Sequence, residues 1–202
     1  MYLKDFFPKK SKVLKKAFFS GISFNSSDVK KDHIFFAIKG NKVDGNNFVD
    51  QAIKNGAKII ISEKKILNKN KNKNILFYRT NNIRKLLSQI SFKLSKIKPN
   101  NMVAVTGTNG KSSIADFYYQ ILNLNSKKVA SIGTLGVKYS NKIKPLPNTT
   151  PDPIELGLIL KKLKRKKIDN IILEASSHGL KQNRLDGLMF DIGIFTNLSH
   201  DH

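Results

Sequence analysis

The chain has no cysteine among its 202 residues. No disulfide can form and no thiolate can hold a metal, which fits a reducing compartment. Long apolar runs are missing as well. No stretch approaches the roughly 20 residues that a membrane-spanning helix needs. The first residues, Met1 to Pro8 with Asp5 among them, lack the apolar centre of a signal peptide. The expectation is a soluble, cytoplasmic protein without membrane insertion. Acidic residues are scarce: 14 Asp and Glu stand against 37 Lys and Arg, a net charge of +23. Such an excess marks some nucleic-acid binders. Here the lysines are scattered, arginines are few, and Asn and Ile are also abundant. That pattern reads as compositional bias, with no nucleic acid as partner. A basic field also favours anionic substrates such as nucleotides.

What the chain does have is 40% apolar residues, enough for a sizeable core, arranged in two blocks. The first runs to residue 98. Short extended segments are predicted at 21–25, 34–38, 58–62 and 75–78. Phe48, Ala52 and Ile53 recur at helical spacing, with Gly56 as a C-terminal cap. A second helix is predicted over 83–94, with Leu86, Leu87, Ile90 and Leu94 on one face. Residues 68–74 alternate Lys and Asn and read as a solvated loop, and 98–101 (Lys-Pro-Asn-Asn) as a linker.

In the second block, 99–202, strands predicted at 102–106, 129–132, 170–175 and 191–195 alternate with helices at 111–124 and 153–166. Ile114, Phe117, Tyr118, Ile121 and Leu122 share a face of the first helix. Leu156, Leu160 and Leu163 share one of the second. This alternation implies an α/β fold with a mostly parallel sheet. Ligands in such sheets sit beyond the carboxyl ends of the strands, where Thr106, Glu174 and Thr196 would converge.

The most specific stretch is Val103-Ala104-Val105-Thr106-Gly107-Thr108-Asn109-Gly110-Lys111-Ser112-Ser113. A strand fixes a glycine turn whose N–H groups can close on phosphate oxygens. Lysine adds charge, and the first hydroxyl can reach a magnesium ion. The commonest phosphate-loop pattern has glycine where Val105 stands; here the glycine is at 107. A structural turn is the bland alternative, but the strand before it and the helix after it favour nucleotide binding. Glu174, ending an apolar strand, can supply a carboxylate oxygen to a cation beside those phosphates. Ser176-Ser177-His178-Gly179 is no Ser–His nucleophile, because no elbow glycine precedes the serine and no acid orients the histidine. Asp201-His202, after the last strand, is either a loose end or a metal-ligand pair. Read together, these features describe an ATP-dependent enzyme that has been cut short.

Four segments together resemble the Mur ligases of peptidoglycan synthesis, in particular the tripeptide-synthetase branch. They are Thr106 to Ser112, Asn148-Thr149-Thr150-Pro151-Asp152, Glu174-Ala175-Ser176-Ser177-His178-Gly179-Leu180, and Thr196-Asn197-Leu198-Ser199-His200-Asp201-His202. Residues 23–28, the loop from Lys39 to Gly45, and Phe48 resemble that family's uridine-nucleotide region. The resemblance implies a small α/β UDP-sugar-binding domain over 1–98 and an incomplete ATP-binding central domain over 99–202. A C-terminal ligase domain would be absent, and the fragment inactive alone. It implies ATP and Mg2+, with UDP-N-acetylmuramoyl-dipeptide and a diamino acid as substrates of a monomer. Lys111 would hold phosphates, with Gly107, Thr108, Asn109, Gly110, Ser112 and Ser113 around them. Ser112, Glu174 and His202 would bind metal, and Lys111, Glu174 and His202 would carry the chemistry. Phe24, Ser26, Asn41, Lys42 and Val43 match uridine contacts. Asn148, Thr149, Thr150, Ser176, Gln182 and Arg184 match contacts to the muramyl-peptide. The third amino acid would be meso-diaminopimelate in preference to L-lysine. A folylpolyglutamate-synthase-like ligase and a basic phosphate-loop protein that binds nucleic acid are the competing readings.

Overall fold

The computed structural model describes Tyr2, Phe6 and residues 17–41, 43–65, 74–96 and 98–199. Lys42 and His202 of the expected site, and most of the expected Lys/Asn loop, lie outside these. The chain separates into two compact units, Met1–Ile90 and Ser91–His202.

The first unit is a four-stranded, all-parallel sheet in chain order: β1 (Gly21–Ser23), β2 (His33–Phe36), β3 (Ala57–Ser62) and β4 (Leu76–Arg79). Helix α1 (Val49–Lys54) lies between β2 and β3, and α2 (Ile83–Ser95) follows β4. Strand residues alternate between faces. Phe35 and Ile60 pack with Val49 and Ala52 of α1, whereas Ile34, Phe36, Ile59 and Ile61 point the other way and are equally buried. Burial on both faces explains why β3 reads as a continuous apolar run.

The second unit contains β5 (Asn101–Thr106), α3 (Lys111–Leu124), β6 (Val129–Gly133), β7 (Gly136–Tyr139), β8 (Lys142–Lys144), α4 (Pro153–Arg165), β9 (Asn170–Glu174), α5 (Ser177–Lys181) and β10 (Ile192–Phe195). The sheet order is β10-β5-β9-β6-β7-β8; the first four strands are parallel and the last two form an antiparallel hairpin. Met102, Ile171 and Leu173 face Leu156, Leu160 and Leu163 of α4. Val103, Val105 and Ile172 face Ala115 of α3. The sheet is thus covered on both faces, and its strand ends are left for chemistry. Asp152 starts α4: its Oδ1 accepts the N–H groups of Ile154 and Glu155 at 2.9 and 3.0 Å, and Pro153 follows at the first helical position.

Three expectations need correction. Residues 98–101 are not a free linker, because Pro99 is buried and Asn101 opens β5, paired with Asn170. The inward face of α3 is rotated. Phe117 and Ile121 are 61% and 59% exposed, while Ala115 and Tyr119 are each 2% exposed. The cause is the β7–β8 hairpin, which the sequence reading missed. Lys138 of β7 pairs with Asp116 at 2.6 Å and lies over the Tyr119 ring, and Tyr119 Oη receives the Asn141 N–H at 3.2 Å. The hairpin turns on Ser140 and Asn141, both at positive φ (47° and 57°). This is the two-residue arrangement that twisted strands favour, made here without the usual glycine.

Candidate functional site: a phosphate loop and a buried carboxylate

The connection from β5 to α3 is only residues 107–110. Gly107 has φ +136°, and a Cβ there would lie 2.0 Å from Thr196 Oγ1, so no other residue fits without displacement. Gly110, left-handed at φ +85°, leads into α3 without a capping side chain. The first N–H groups of a 14-residue helix therefore open beside the loop, a natural seat for an anion. Lys111 folds back over it, with Nζ donating to the carbonyls of Gly107 and Thr108 at 2.5 and 2.7 Å.

Parallel pairing sets the carboxylate one strand away. Val105 of β5 is in register with Glu174 of β9. Glu174 is 2% exposed. Its Oε2 accepts from Ser112 Oγ at 2.9 Å and from Thr134 Oγ1 at 3.1 Å, and its Oε1 accepts from the Thr134 N–H at 3.1 Å. Ser112 and Glu174, separated by 62 positions, meet as the sequence reading expects.

On the other side of β5, the segment after β10 clamps the loop. Thr196 Oγ1 donates to Asn109 O at 2.7 Å. Asn197 Oδ1 accepts the Asn109 N–H at 3.0 Å, and its carbonyl accepts the Thr108 N–H at 3.0 Å. Two of the expected phosphate donors, the N–H groups of Thr108 and Asn109, are thus engaged within the protein. The donors at the start of α3 carry the anion-binding character. Asn197 belongs to a segment noted in the sequence, but its grip on the loop is a tertiary feature.

The residues expected to contact a muramyl-peptide also gather. Thr150, fully buried, donates from Oγ1 to Glu174 O at 2.8 Å and accepts the Ser176 N–H at 2.9 Å. Ser176 Oγ receives the Gly179 N–H and caps α5. Arg184 Nη1 donates to Thr150 O, and its Nε and Nη2 both reach Gln182 Oε1. Thr149 Oγ1 lies 3.0 Å from Thr134 Oγ1. Asn148 is exposed.

In the first unit, Phe24 and Val43 are 40% and 54% exposed, and Asn41 is exposed at the tip of a turn closed by Gly40 N–H to Val43 O at 2.8 Å. Ser26 differs. It is buried, and its Oγ donates to Gln51 Oε1 of α1 at 2.8 Å. The base of the 39–45 loop rests on contacts that sequence reading did not find. Asp44 Oδ1 accepts from the Asn46 N–H, Lys64 Nζ reaches Asp44 Oδ2 at 2.7 Å, and Ser62 Oγ donates to Asn46 Oδ1 at 2.6 Å. The Lys64 ammonium, helped by Asn46, holds the Asp44 carboxyl well below its ordinary value.

The chemistry of the donor set suits a hard cation. A buried carboxylate and a hydroxyl meet beside the anion seat, and oxygen donors of this kind match Mg2+. Among the described residues no group of three or more His, Asp or Glu gathers. Among the described residues no helix is long and apolar enough to cross a membrane.

This geometry defines a class: an α/β protein with a phosphate loop at the carboxyl edge of a parallel sheet. The family follows from comparison with known proteins. The Mur ligase middle domain matches residues 105–202, and the catalytic domain of the Mur ligase family matches residues 19–91. The chain belongs to the Mur ligase family. It is 39% identical, over 99% of its length, to the UDP-N-acetylmuramoyl-L-alanyl-D-glutamate–2,6-diaminopimelate ligase of Wigglesworthia glossinidia brevipalpis, and covers 42% of that protein. The ligase of the same name from Rickettsia prowazekii (strain Madrid E) is 40% identical over 90% of the chain, which covers 38% of it. A solved structure of a ligase of that name superposes on the whole chain with TM-score 0.84 at 28% identity, the chain covering 41% of it. The MurF ligase of Thermotoga maritima, solved with ADP, shares the fold at TM-score 0.57 and 22% identity, over 91% of this chain and 38% of its own. The chain thus spans about two fifths of the length of the curated relatives it matches. Neither a folylpolyglutamate synthase nor a nucleic-acid-binding protein is named among these relatives.

Proposed function

We propose that this chain carries the nucleotide-sugar and ATP sites of an ATP-dependent amide ligase of peptidoglycan synthesis. The ligase adds meso-diaminopimelate, in preference to L-lysine, to UDP-N-acetylmuramoyl-L-alanyl-D-glutamate. The observation that carries the reading is the meeting of Ser112 and the buried Glu174 beside the glycine loop and Lys111. The names of the relatives from Wigglesworthia and Rickettsia support the substrate assignment. Residues 1–98 would form the UDP-sugar domain and 99–202 the ATP domain of a cytoplasmic, monomeric enzyme.

In this reading the D-glutamate carboxylate oxygen attacks the γ-phosphorus of ATP. The bond to the β-phosphate oxygen breaks, ADP leaves, and an acyl phosphate remains. The amine of the incoming amino acid then attacks the acyl carbon, phosphate departs, and the amine loses a proton to give the amide. The chain's own residues position and neutralise charge. Lys111 swings from the Gly107 and Thr108 carbonyls onto the β/γ-phosphates, while the N–H groups opening α3 hold phosphate oxygens. Ser112 and Glu174 would hold Mg2+, which when bound supplies further positive charge against the phosphates. His202 would complete a second cation site. Asn148, Thr149, Thr150, Ser176, Gln182 and Arg184 orient the muramyl-peptide, the Arg184 guanidinium supplying positive charge for a carboxylate or phosphate. Phe24, Asn41, Lys42 and Val43 contact the uridine end, with Ser26 acting through Gln51 to hold that surface.

Amide NMR of the chain with two titrants tests the reading. Mg-ADP is expected to shift residues 107–113 and Glu174, and UDP-N-acetylmuramoyl-L-alanyl-D-glutamate to shift Phe24, Asn41 and Val43. Absence of the first set at millimolar Mg-ADP overturns the ATP site. Absence of the second set overturns the uridine site.

A further inference from the structure

Thr134 follows β6 and had no assigned role from the sequence. It makes two of the three hydrogen bonds received by the Glu174 carboxylate: the N–H to Oε1 and the Oγ1–H to Oε2, both at 3.1 Å. Gly133 before it makes room. A Cβ at that position would lie 2.0 Å from Oε1, so the carboxylate fills the space a side chain would take. The Thr134 hydroxyl has one proton. Spent on Glu174, it leaves the oxygen to accept from Thr149 Oγ1, 3.0 Å away. A directed chain results, from Thr149 through Thr134 to Glu174 Oε2. Thr150, the neighbour of Thr149, separately holds the Glu174 backbone carbonyl at 2.8 Å.

We infer that Thr134 is the positioning residue of the cation site, holding the Glu174 carboxylate toward Ser112 and linking its state to that of Thr149. The inference rests on the proposed role of Glu174 as a cation ligand. A carboxylate with two free rotamers would spend part of its time turned away from Ser112. The N–H and hydroxyl of one residue, gripping both oxygens, remove that freedom. Groups that hold a metal ligand in this way typically alter metal affinity by about 10–100-fold when removed. The link to Thr149 adds a second consequence. A ligand that draws the Thr149 hydroxyl away changes the electron density that Thr134 passes to Oε2, so occupancy of the peptide side is felt at the cation side.

The test uses the whole chain with four substitutions and two readouts. The first readout is free of metal: crystal structures of wild type and Thr134→Val, the latter keeping the N–H and the shape. We expect the carboxylate in Thr134→Val to rotate off Ser112; an unmoved carboxylate overturns the inference. The second is Mn2+ binding in the presence of ADP, followed by electron paramagnetic resonance. Thr134→Val is expected to weaken Mn2+ by about tenfold or more, and Thr134→Ser to restore binding to within about twofold of wild type. Thr149→Val should weaken Mn2+ in the wild-type background but have no further effect in Thr134→Val. Equal weakening by Thr134→Ser, or additive effects of the two valine substitutions, overturns the coupling. Glu174→Gln separates the two claims. If it binds Mn2+ as wild type does, the cation reading of Glu174 fails. If it loses Mn2+ while Thr134→Val does not, only the positioning role of Thr134 fails.

Discussion

Both units are α/β, the first on an all-parallel sheet and the second on a mixed one, yet they connect strand to helix in different ways. In the second unit, β5 passes into α3 through four residues, and the loop has little freedom once Thr196 and Asn197 hold it. In the first, β2 reaches α1 through residues 37–48, a long excursion with a bridge between Lys39 and Asp44 and a 3₁₀ turn over Gly45–Phe48. A short connection aims backbone donors at one small, highly charged group. The long one leaves Asn41 and Val43 exposed, and in the proposed reading it receives the uridine end of the substrate. A common architecture can thus present very different connections at its strand ends, where ligands of such sheets sit.

Removing the charge on the short loop should have the largest effect. In the proposed ligase, Lys111→Ala should lower ATP-dependent phosphate release by about 10²-fold or more. UDP-sugar shifts at Asn41 and Val43 should remain. Near-normal turnover would discard the phosphate-loop role, and lost UDP-sugar shifts would show that the two sites are not separate.

A core deletion in the second unit should affect that unit's stability alone. Leu160, 1% exposed, packs α4 on the second sheet. Leu160→Ala should cost about 2–5 kcal/mol, read by urea unfolding. Amide exchange at Ile60 in the first unit should keep its wild-type rate; acceleration equal to that at Ile171 would show that the units unfold together. Removing the cap of the same helix has a smaller effect. Asp152→Ala should cost about 0.5–2 kcal/mol, and Asp152→Asn should recover most of it.

The smallest effect separates the units by pH. Asp44 in the first unit and Asp116 in the second both titrate below the ordinary 3.8 for aspartate, held by Lys64 and Lys138 respectively. A carboxyl whose folded value is depressed contributes stability above its unfolded value and loses it as pH falls toward the folded one. Both contributions are therefore present at neutral pH and fade below about pH 4. Asp44→Asn should remove at most about 1 kcal/mol at neutral pH and flatten the acid limb for the first unit alone, as monitored at the Ile60 amide. An unchanged acid limb at Ile60 would show that the Asp44–Lys64 pair contributes nothing.

The elements that could be read from the sequence are those whose signal is local. The apolar strands β3, β5 and β9, the turn from Thr106 to Gly110, and the Leu156, Leu160, Leu163 stripe each occupy contiguous or evenly spaced positions, where period and composition suffice. The β7–β8 hairpin was missed because Ser140 and Asn141 are a weak turn signal and its strands are short. Its absence from the reading then misplaced the buried face of α3, since Lys138 and Asn141 are what turn Asp116 and Tyr119 inward. Ser26 was read as a uridine contact, and its burial against Gln51 was not foreseen. Its partner Gln51 lies 25 positions away, and nothing local reveals it.

Local pattern along the chain sufficed for the α/β class, the two blocks, the glycine turn before α3, and the expectation that Ser112 and Glu174 act together. How they meet is a matter of the fold. Parallel register sets Glu174 beside Val105, Gly133 opens space for its carboxylate, and Thr134 holds both oxygens. The loop's donors were likewise divided by contacts from 88 positions away, with Asn197 engaging Asn109 and leaving the anion seat to the start of α3. The reason is physical. Periodicity and turn chemistry are properties of neighbours along the chain. Hydrogen-bond partners and room for a buried charge are properties of neighbours in space, and strand order and register alone determine which residues those are.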